Sequence, residues 1–158
     1  MECWSGIGLV RNYGDPNTTS ADPFPVYFNR TIAVSAEPVY TFTDYQPDAV
    51  ISNLGTNDYS TEPTPPQREF EDAYHNFIQQ IRSAYGNIPI FLACGPMIGS
   101  PCCDYVQNVV NFEENTYYID LENILEEFDI GCNGHPNVSG HQKMAYLSIP
   151  IIQNVLGW

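Results

Sequence analysis

Apolar positions are scattered and aperiodic up to about Tyr45, in a stretch rich in Pro, Asn, Asp and Thr, and become regular after it. Ala49-Val50-Ile51-Ser52-Asn53-Leu54 is a short apolar run ended by Gly55, which suits a buried parallel strand. A loop from Tyr59 to Pro66 follows, and then a helix with recognisable start signals. Thr64 is placed to cap, Pro65 fits the first helical position, and Gln67 completes a Thr-x-x-Gln capping box. Glu69, Glu71 and Asp72 fall in the first turns, where the helix dipole favours acids. Phe70, Tyr74, Phe77, Ile78, Ile81 and Tyr85 recur at helical spacing as a buried stripe, and Gly86 stops the helix.

Ile88 to Cys94 reads as a second buried strand, followed by a loop from Gly95 to Pro101. A short helix is expected over Tyr105–Val110 and a third strand over Thr116–Leu121. A last helix begins at Asn137 or Ser139 and runs through Met144, Leu147, Ile151 and Val155, with a kink expected at Pro150. Strands alternating with helices are the grammar of a doubly wound α/β sheet, one domain over residues 1–158. Ligand sites in such sheets lie beyond the C-terminal ends of the strands. Gly55-Thr56-Asn57-Asp58 falls at that edge.

Charge narrows the partners. Lys and Arg number 5 against 19 Asp and Glu, a formal net charge of −14, which repels phosphate backbones and argues against nucleic-acid binding. No apolar run reaches the roughly 20 residues of a membrane helix. The opening MECWSGIGLV has neither a basic start nor a cleavage-type end, so it does not read as a signal peptide. Two N-glycosylation acceptors, Asn17-Thr18-Thr19 and Asn29-Arg30-Thr31, nevertheless lie in segments that read as surface loops of an extracellular protein. Each triplet also arises by chance, and alone is weak evidence.

Five cysteines, Cys3, Cys94, Cys102, Cys103 and Cys132, leave one without an internal partner, and Cys3 at the extreme start is the natural candidate. No spacing matches a zinc site, so neither a metal nor a cofactor is expected. Cys94, in an apolar run, fits a buried free thiol.

Two motifs carry chemistry. In Asn53-Leu54-Gly55-Thr56-Asn57-Asp58 the glycine turns the chain sharply off the strand, and the Asn57 amide then projects as a hydrogen-bond donor of the kind an oxyanion hole requires. Asn and Asp after Gly also make ordinary turns. In Gly131-Cys132-Asn133-Gly134-His135-Pro136-Asn137 a histidine sits in a tight loop before the last helix, where a neutral imidazole can take a proton. His75 and His141 read as structural: His75 at the surface of its helix, His141 packing or capping locally. A Cys132, His135 and His141 metal site has no standard spacing.

Together these motifs resemble the SGNH (GDSL-type) hydrolases, with Asn57 in a Gly-x-Asn-Asp block and His135 in a His-Pro-Asn block. Ser5-Gly6-Ile7-Gly8 followed by Arg11-Asn12-Tyr13-Gly14-Asp15 resembles the block whose glycine N–H contributes to the oxyanion hole. The stretch from Gly131 to Ala145 and the terminal Leu156-Gly157-Trp158 look most like the second carbohydrate-esterase family, which removes acetyl groups from plant polysaccharides. The resemblance implies a three-layer doubly wound parallel sheet (the flavodoxin-like SGNH hydrolase fold) missing its first strand, the chain being the C-terminal portion of one such domain. It implies His135 as base, with Asn57 and the N–H of Gly6 as oxyanion donors, Gly8 being the fallback for Gly6. Asp58 and Gly55 would support the loop, Asp58 bracing rather than reacting.

Departures are equally informative. The family's nucleophile belongs to a Gly-Asp-Ser block, and no Gly-Asp-Ser occurs in this chain. Ser5 lies where the family places an oxyanion loop and is not the substitute. SGNH enzymes commonly carry Asp three residues before the histidine, where Cys132 stands here; the carbohydrate-esterase relatives use a Ser-His dyad with a backbone carbonyl orienting the imidazole. Asn133 takes a position that many of them fill with an acid, which leaves His135 without a charged partner.

The expectation is therefore part of a secreted carbohydrate acetylesterase acting on acetylated carbohydrate. Its serine would come from a missing upstream segment or a partner chain, through an incomplete gene model, proteolytic processing or a split protein. Asn137-Val138-Ser139, formally a third acceptor, is expected to be unoccupied. The rival is a catalytically inactive carbohydrate-binding or structural protein on the same scaffold; its 11 tyrosines suit sugar stacking as well as a core.

Overall fold

The computed structural model describes residues 4–158, so the expectation for Cys3 lies outside the described residues. In chain order the elements are α1 (Phe24–Tyr27), β1 (Val50–Ser52), α2 (Thr56–Tyr59), α3 (Gln67–Tyr85), β2 (Ile90–Cys94), α4 (Cys102–Phe112), β3 (Thr116–Asp120) and α5 (Val138–Leu156). Two compact units divide the chain: Met1–Asp48 with Asn57–Ile88, and Ala49–Thr56 with Pro89–Trp158.

The second unit holds the sheet. β1, β2 and β3 run parallel in that order, with Ile51 opposite Phe91 and Leu92 opposite Tyr118. Every residue of β2, the central strand, is buried, as its unbroken apolar run requires. β1 is an edge strand, and Ile51 is exposed rather than buried as the run alone suggested. Phe91 and Ala93 of β2 join Ile119 and Leu121 in a cluster packed by Met144, Ile151, Ile152 and Val155 of α5. Alternation along a strand sends Ile90, Leu92 and Cys94 to the opposite face. There Cys94 is bonded to Cys103 of α4, so helices cover both faces.

That disulfide corrects the reading of Cys94 as a free thiol: the start of α4 brings Cys103 against the end of β2, with Cα atoms 5.3 Å apart. Because α4 begins at Cys102, it is also longer than the Tyr105–Val110 expected. The carbonyls and amides beyond the strand ends are linked too, Asn53 Nδ2 donating to the carbonyl of Gly95 at 3.0 Å. Gly95 is obligatory on two counts, a φ of +95° and a Cβ position that would strike the Leu121 carbonyl.

In the first unit α3 buries Phe70, Tyr74, Phe77, Ile78 and Ile81 of the stripe read from the periodicity, while Tyr85, its last member, is half-buried. Phe77 meets Phe24 and Phe28 edge-on, at ring-centroid distances of 5.7 and 5.3 Å. Phe28 stacks on Phe42, which also meets Tyr40 and, at the end of α3, Tyr85 edge-on. The helix does not start with a Thr64 capping box. Its N-cap is Pro66 with no side-chain cap, and the Thr64 N–H is instead bound by the Glu62 carboxylate. His75 is half-buried rather than at the surface.

Arg11 is fully buried in this unit. Its guanidinium donates to the carbonyls of Asp15, Asn17, Thr61 and Glu62 and to the hydroxyl of Thr61. A buried cation survives only when its donors are matched in this way.

Reducing the Cys94–Cys103 bond, with the two cysteines 9 positions apart, releases a short loop in the unfolded chain. Loop-closure entropy puts the loss at about 2.5 kcal/mol. Urea unfolding of the protein with and without Cys94→Ser plus Cys103→Ser is expected to show a lower midpoint at nearly constant slope.

Candidate functional site

Two loops carry the candidate residues, one in each unit. In the first unit, Gly6 to Arg11 forms a tight loop over the carboxylate of Asp58. Asp58 is buried and accepts the backbone N–H groups of Leu9, Val10 and Arg11 at 2.9, 2.7 and 2.9 Å. Burial raises the Asp58 pKa, and the three N–H bonds act against that shift without cancelling it. Gly8 lies so close that a Cβ there would strike the Arg11 carbonyl and the Asp58 carboxylate. Asn57, one residue earlier, is half-buried and donates one amide hydrogen to the Ile7 carbonyl at 2.9 Å. An amide NH₂ has two hydrogens, so the second remains as a donor.

The two glycines differ. The N–H of Gly8 is bound to the Asn12 side chain at 3.1 Å. Gly6 adopts φ +79°, its carbonyl accepts from Tyr13, and a Cβ there would meet nothing closer than 3.9 Å. The Gly8 N–H thus already has a partner within its own loop. Gly6, Asn57 and Asp58 thus come together in one unit, while Gly55 belongs to the other, buried at φ +119°.

In the second unit, His135 is exposed at the end of a 3₁₀ turn formed by Cys132–Gly134. Its Nδ1 lies 3.2 Å from the backbone carbonyl of Asn133. With the proton on Nδ1 this is a hydrogen bond, and the Nε2 lone pair is left available as a base. Asn133 aims that carbonyl by adopting a left-handed conformation, φ 53° and ψ 34°, which asparagine tolerates better than most residues. The backbone of Asn133 therefore supplies what its side chain lacks. Cys132 is exposed and makes no disulfide among the described residues. Its carbonyl accepts the His135 N–H at 3.1 Å.

Asn137 was read as a possible start of the last helix, but most of the bonds that hold this loop were not legible in the sequence. The Gly131 N–H bonds the His135 carbonyl at 2.7 Å, and Ile130 bridges Pro136. Asn137 is the N-cap of α5: its Oδ1 accepts from the N–H groups of Ser139 and Gly140, and its Nδ2 donates to the Phe128 carbonyl at 2.7 Å. Buried Asp129 accepts the Ser139 hydroxyl at 2.7 Å, the Glu126 N–H at 3.0 Å and the Lys143 ammonium at 2.5 Å. Burial by itself would raise the Asp129 pKa, but the bonds from Lys143, Ser139 and Glu126 outweigh it and hold the carboxyl down at about 2. Gly140 is buried here because a Cβ would press on the Asp129 carbonyl and Pro136. His141 is exposed and its side chain caps nothing, since Asn137 already does. Among the described residues no three His, Cys, Asp or Glu side chains converge to hold a metal, and no helix is long and apolar enough to cross a membrane.

Comparison with known proteins places these loops in context. The family model described as GDSL-like lipase/acylhydrolase matches residues 12–147. A cellulase/esterase of Acetivibrio thermocellus is 34% identical over 168 aligned residues, spanning all of this chain and 20% of that protein. An acetylxylan esterase/glucomannan deacetylase of Cellvibrio japonicus is 24% identical over 162 residues, spanning all of this chain and 44% of that protein. A solved family two carbohydrate esterase from Clostridium thermocellum, in complex with cellohexaose, superposes with a TM-score of 0.87 at 33% identity. That match covers 98% of this chain and 49% of that structure, so the chain spans half the length of its relatives or less.

Because the Asp129 carboxyl is held at about 2, below its ordinary 3.8, its ionised form stabilises the fold. That stabilisation is complete above pH 3.8 and is lost as the pH falls toward 2. The melting temperature of the protein is expected to drop more steeply between pH 5 and pH 2 than that of Asp129→Asn, measured side by side.

Proposed function

This chain belongs to the GDSL-like lipase/acylhydrolase family, and on that premise we propose that it is part of a secreted carbohydrate acetylesterase whose serine lies on an upstream segment or a partner chain. Homology to carbohydrate esterases gives the reaction class. The observation that carries the reading to these residues is the 3.2 Å contact between His135 Nδ1 and the Asn133 carbonyl, which fits a base oriented without a carboxylate. Relatives acting on acetylxylan and glucomannan point to an O-acetylated plant polysaccharide as substrate.

The serine oxygen attacks the acetyl carbonyl while Nε2 of His135 takes its proton. The second amide hydrogen of Asn57 and the N–H of Gly6 serve as donors to the oxyanion. Collapse of the tetrahedral intermediate expels the sugar oxygen, which takes the proton back from His135 and leaves acetyl-serine. Water, deprotonated by the same imidazole, then releases acetate and restores the serine. Asp58 and Gly55 support the Asn57 turn; Cys132 and Asn133 form the turn that presents His135.

A second reading has its own support. A relative solved with cellohexaose binds an unacetylated β-glucan chain, and this chain has no Gly-Asp-Ser. A carbohydrate-binding protein on the esterase scaffold would need no serine.

Extracellular placement rests on the Cys94–Cys103 disulfide and on the exposure of Asn17 and Asn29. Glycosidase treatment in ¹⁸O water followed by peptide mapping is expected to mark Asn17 and Asn29. Asn137 should stay unmarked, since it is half-buried and both ends of its amide are used in capping α5 and bonding the Phe128 carbonyl.

Non-reducing intact mass and N-terminal sequencing of the natural protein decide between the two readings. A Gly-Asp-Ser segment, fused or associated, should accompany acetyl-ester hydrolysis that falls about 10⁴-fold in His135→Ala. In Asn57→Ala kcat should fall about 10²- to 10³-fold. Absence of any such segment, with cellohexaose still bound in calorimetry, would sink the esterase and leave the binding protein.

A further inference from the structure

The loop from Ile130 to Asn137 has no regular secondary structure beyond one 3₁₀ turn, yet both of its ends meet at one residue. At its start stands Asp129. At its end the Asn137 N–H donates to the Asp129 carbonyl at 2.8 Å. One oxygen of the Asp129 carboxylate accepts from Ser139, in the first turn of α5. The other accepts from Lys143, one turn further along that helix, and from the N–H of Glu126 before the loop. The side chain is fully buried, and Gly140 packs against its carbonyl with no room for a Cβ.

A span of chain whose ends are pinned to one rigid point has little freedom left between them. His135 sits in that span, and its ring nitrogen Nδ1 meets the Asn133 carbonyl of the same loop. Any displacement of the loop ends alters that contact directly.

We propose that Asp129 is a positioning residue for His135: it clamps the two ends of the 130–137 loop to the start of α5, and so keeps the Asn133 carbonyl on the imidazole and the proton on Nδ1. The proposal rests on the reading of His135 as the general base. Asp129 touches neither the ring nor a reacting atom and acts only through the loop. Free imidazole favours the opposite tautomer, with the proton on Nε2, which cannot accept a proton from serine. Without the clamp the ring reverts toward it.

The test uses the natural full-length protein labelled with ¹⁵N-histidine, observed at pH 8, above the ordinary imidazole pKa of about 6.5. The His135 signals are assigned by their loss in His135→Ala. In the unaltered protein the nitrogen shifts should report a proton mainly on Nδ1. In Asp129→Asn, which keeps the shape and removes the charge, they should move toward Nε2–H. Its kcat on acetyl ester should fall about 100-fold with KM little changed. Ser139→Ala should move both readouts the same way by less, and Glu127→Gln, an exposed carboxylate in the adjoining turn, should move neither.

A folded Asp129→Asn protein with the original tautomer overturns the proposal, even if its activity falls. Should Asp129→Asn fail to fold, Ser139→Ala decides, and an unmoved tautomer there overturns it. A tautomer shift equal in Glu127→Gln overturns it as well. Full activity in His135→Ala would instead refute the esterase reading, while the tautomer shift in Asp129→Asn would still establish the clamp.

Discussion

A buried loop leaves N–H and C=O groups that no ladder of helix or strand satisfies, and unpaired they are costly. The buried segment from Gly8 to Arg11 faces that constraint and meets it with an aspartate, while the exposed loop before α5 is tied at its ends by another. Asp58 gathers three successive N–H groups of residues 9 to 11; Asp129 gathers one N–H, one hydroxyl and one ammonium. Arg11 handles the reverse case, its donors closing the carbonyls of two loops. Such assemblies are stiff because every member has only one arrangement in which all its partners are paired. Stiffness is what a functional loop needs when neither helix nor strand supplies it.

The two aspartates respond differently to burial, and the difference lies in their partners. Asp58 has only neutral N–H donors, and its pKa rises. Asp129 has the Lys143 charge as well, and its pKa falls to about 2. A full positive charge within hydrogen-bond distance changes the balance where neutral dipoles do not. The Lys143 ammonium also lies 4.9 Å from the centre of the Phe128 ring, a cation–π contact.

The regular elements could be read from the chain because their signal is local. The apolar run at β2, the 3.6-residue stripe of α3 and the Gly86 stop depend on neighbours a few positions apart. Errors arose where a local signal had a distant competitor. Thr64 looks like a cap, but its N–H is taken up by Glu62, and α3 begins past it at Gln67. Cys94 looks like a core thiol until α4 brings Cys103 to it. Of the site, the Asn57 and His135 motifs were visible because they recur as contiguous words. Asp129 and Lys143 were not: 14 positions apart, they look like two surface charges until the loop folds back.

A backbone carbonyl in place of a carboxylate behind a catalytic histidine changes which part of catalysis is kept. An acid partner does two things: it selects the tautomer and it stabilises the imidazolium that forms as the base takes its proton. When that acid is replaced by an amide in a serine protease, the loss of about 10⁴-fold is ascribed to the wrong tautomer. On the proposed reading of His135 as the base, the Asn133 carbonyl would preserve the first role and supply only a dipole for the second. Tautomer selection then depends on geometry alone, because no charge attraction pulls the ring back when it strays. A neutral partner thus demands a stiffer loop than a charged one. Here the charge missing beside His135 reappears six residues earlier, on the aspartate that holds the loop.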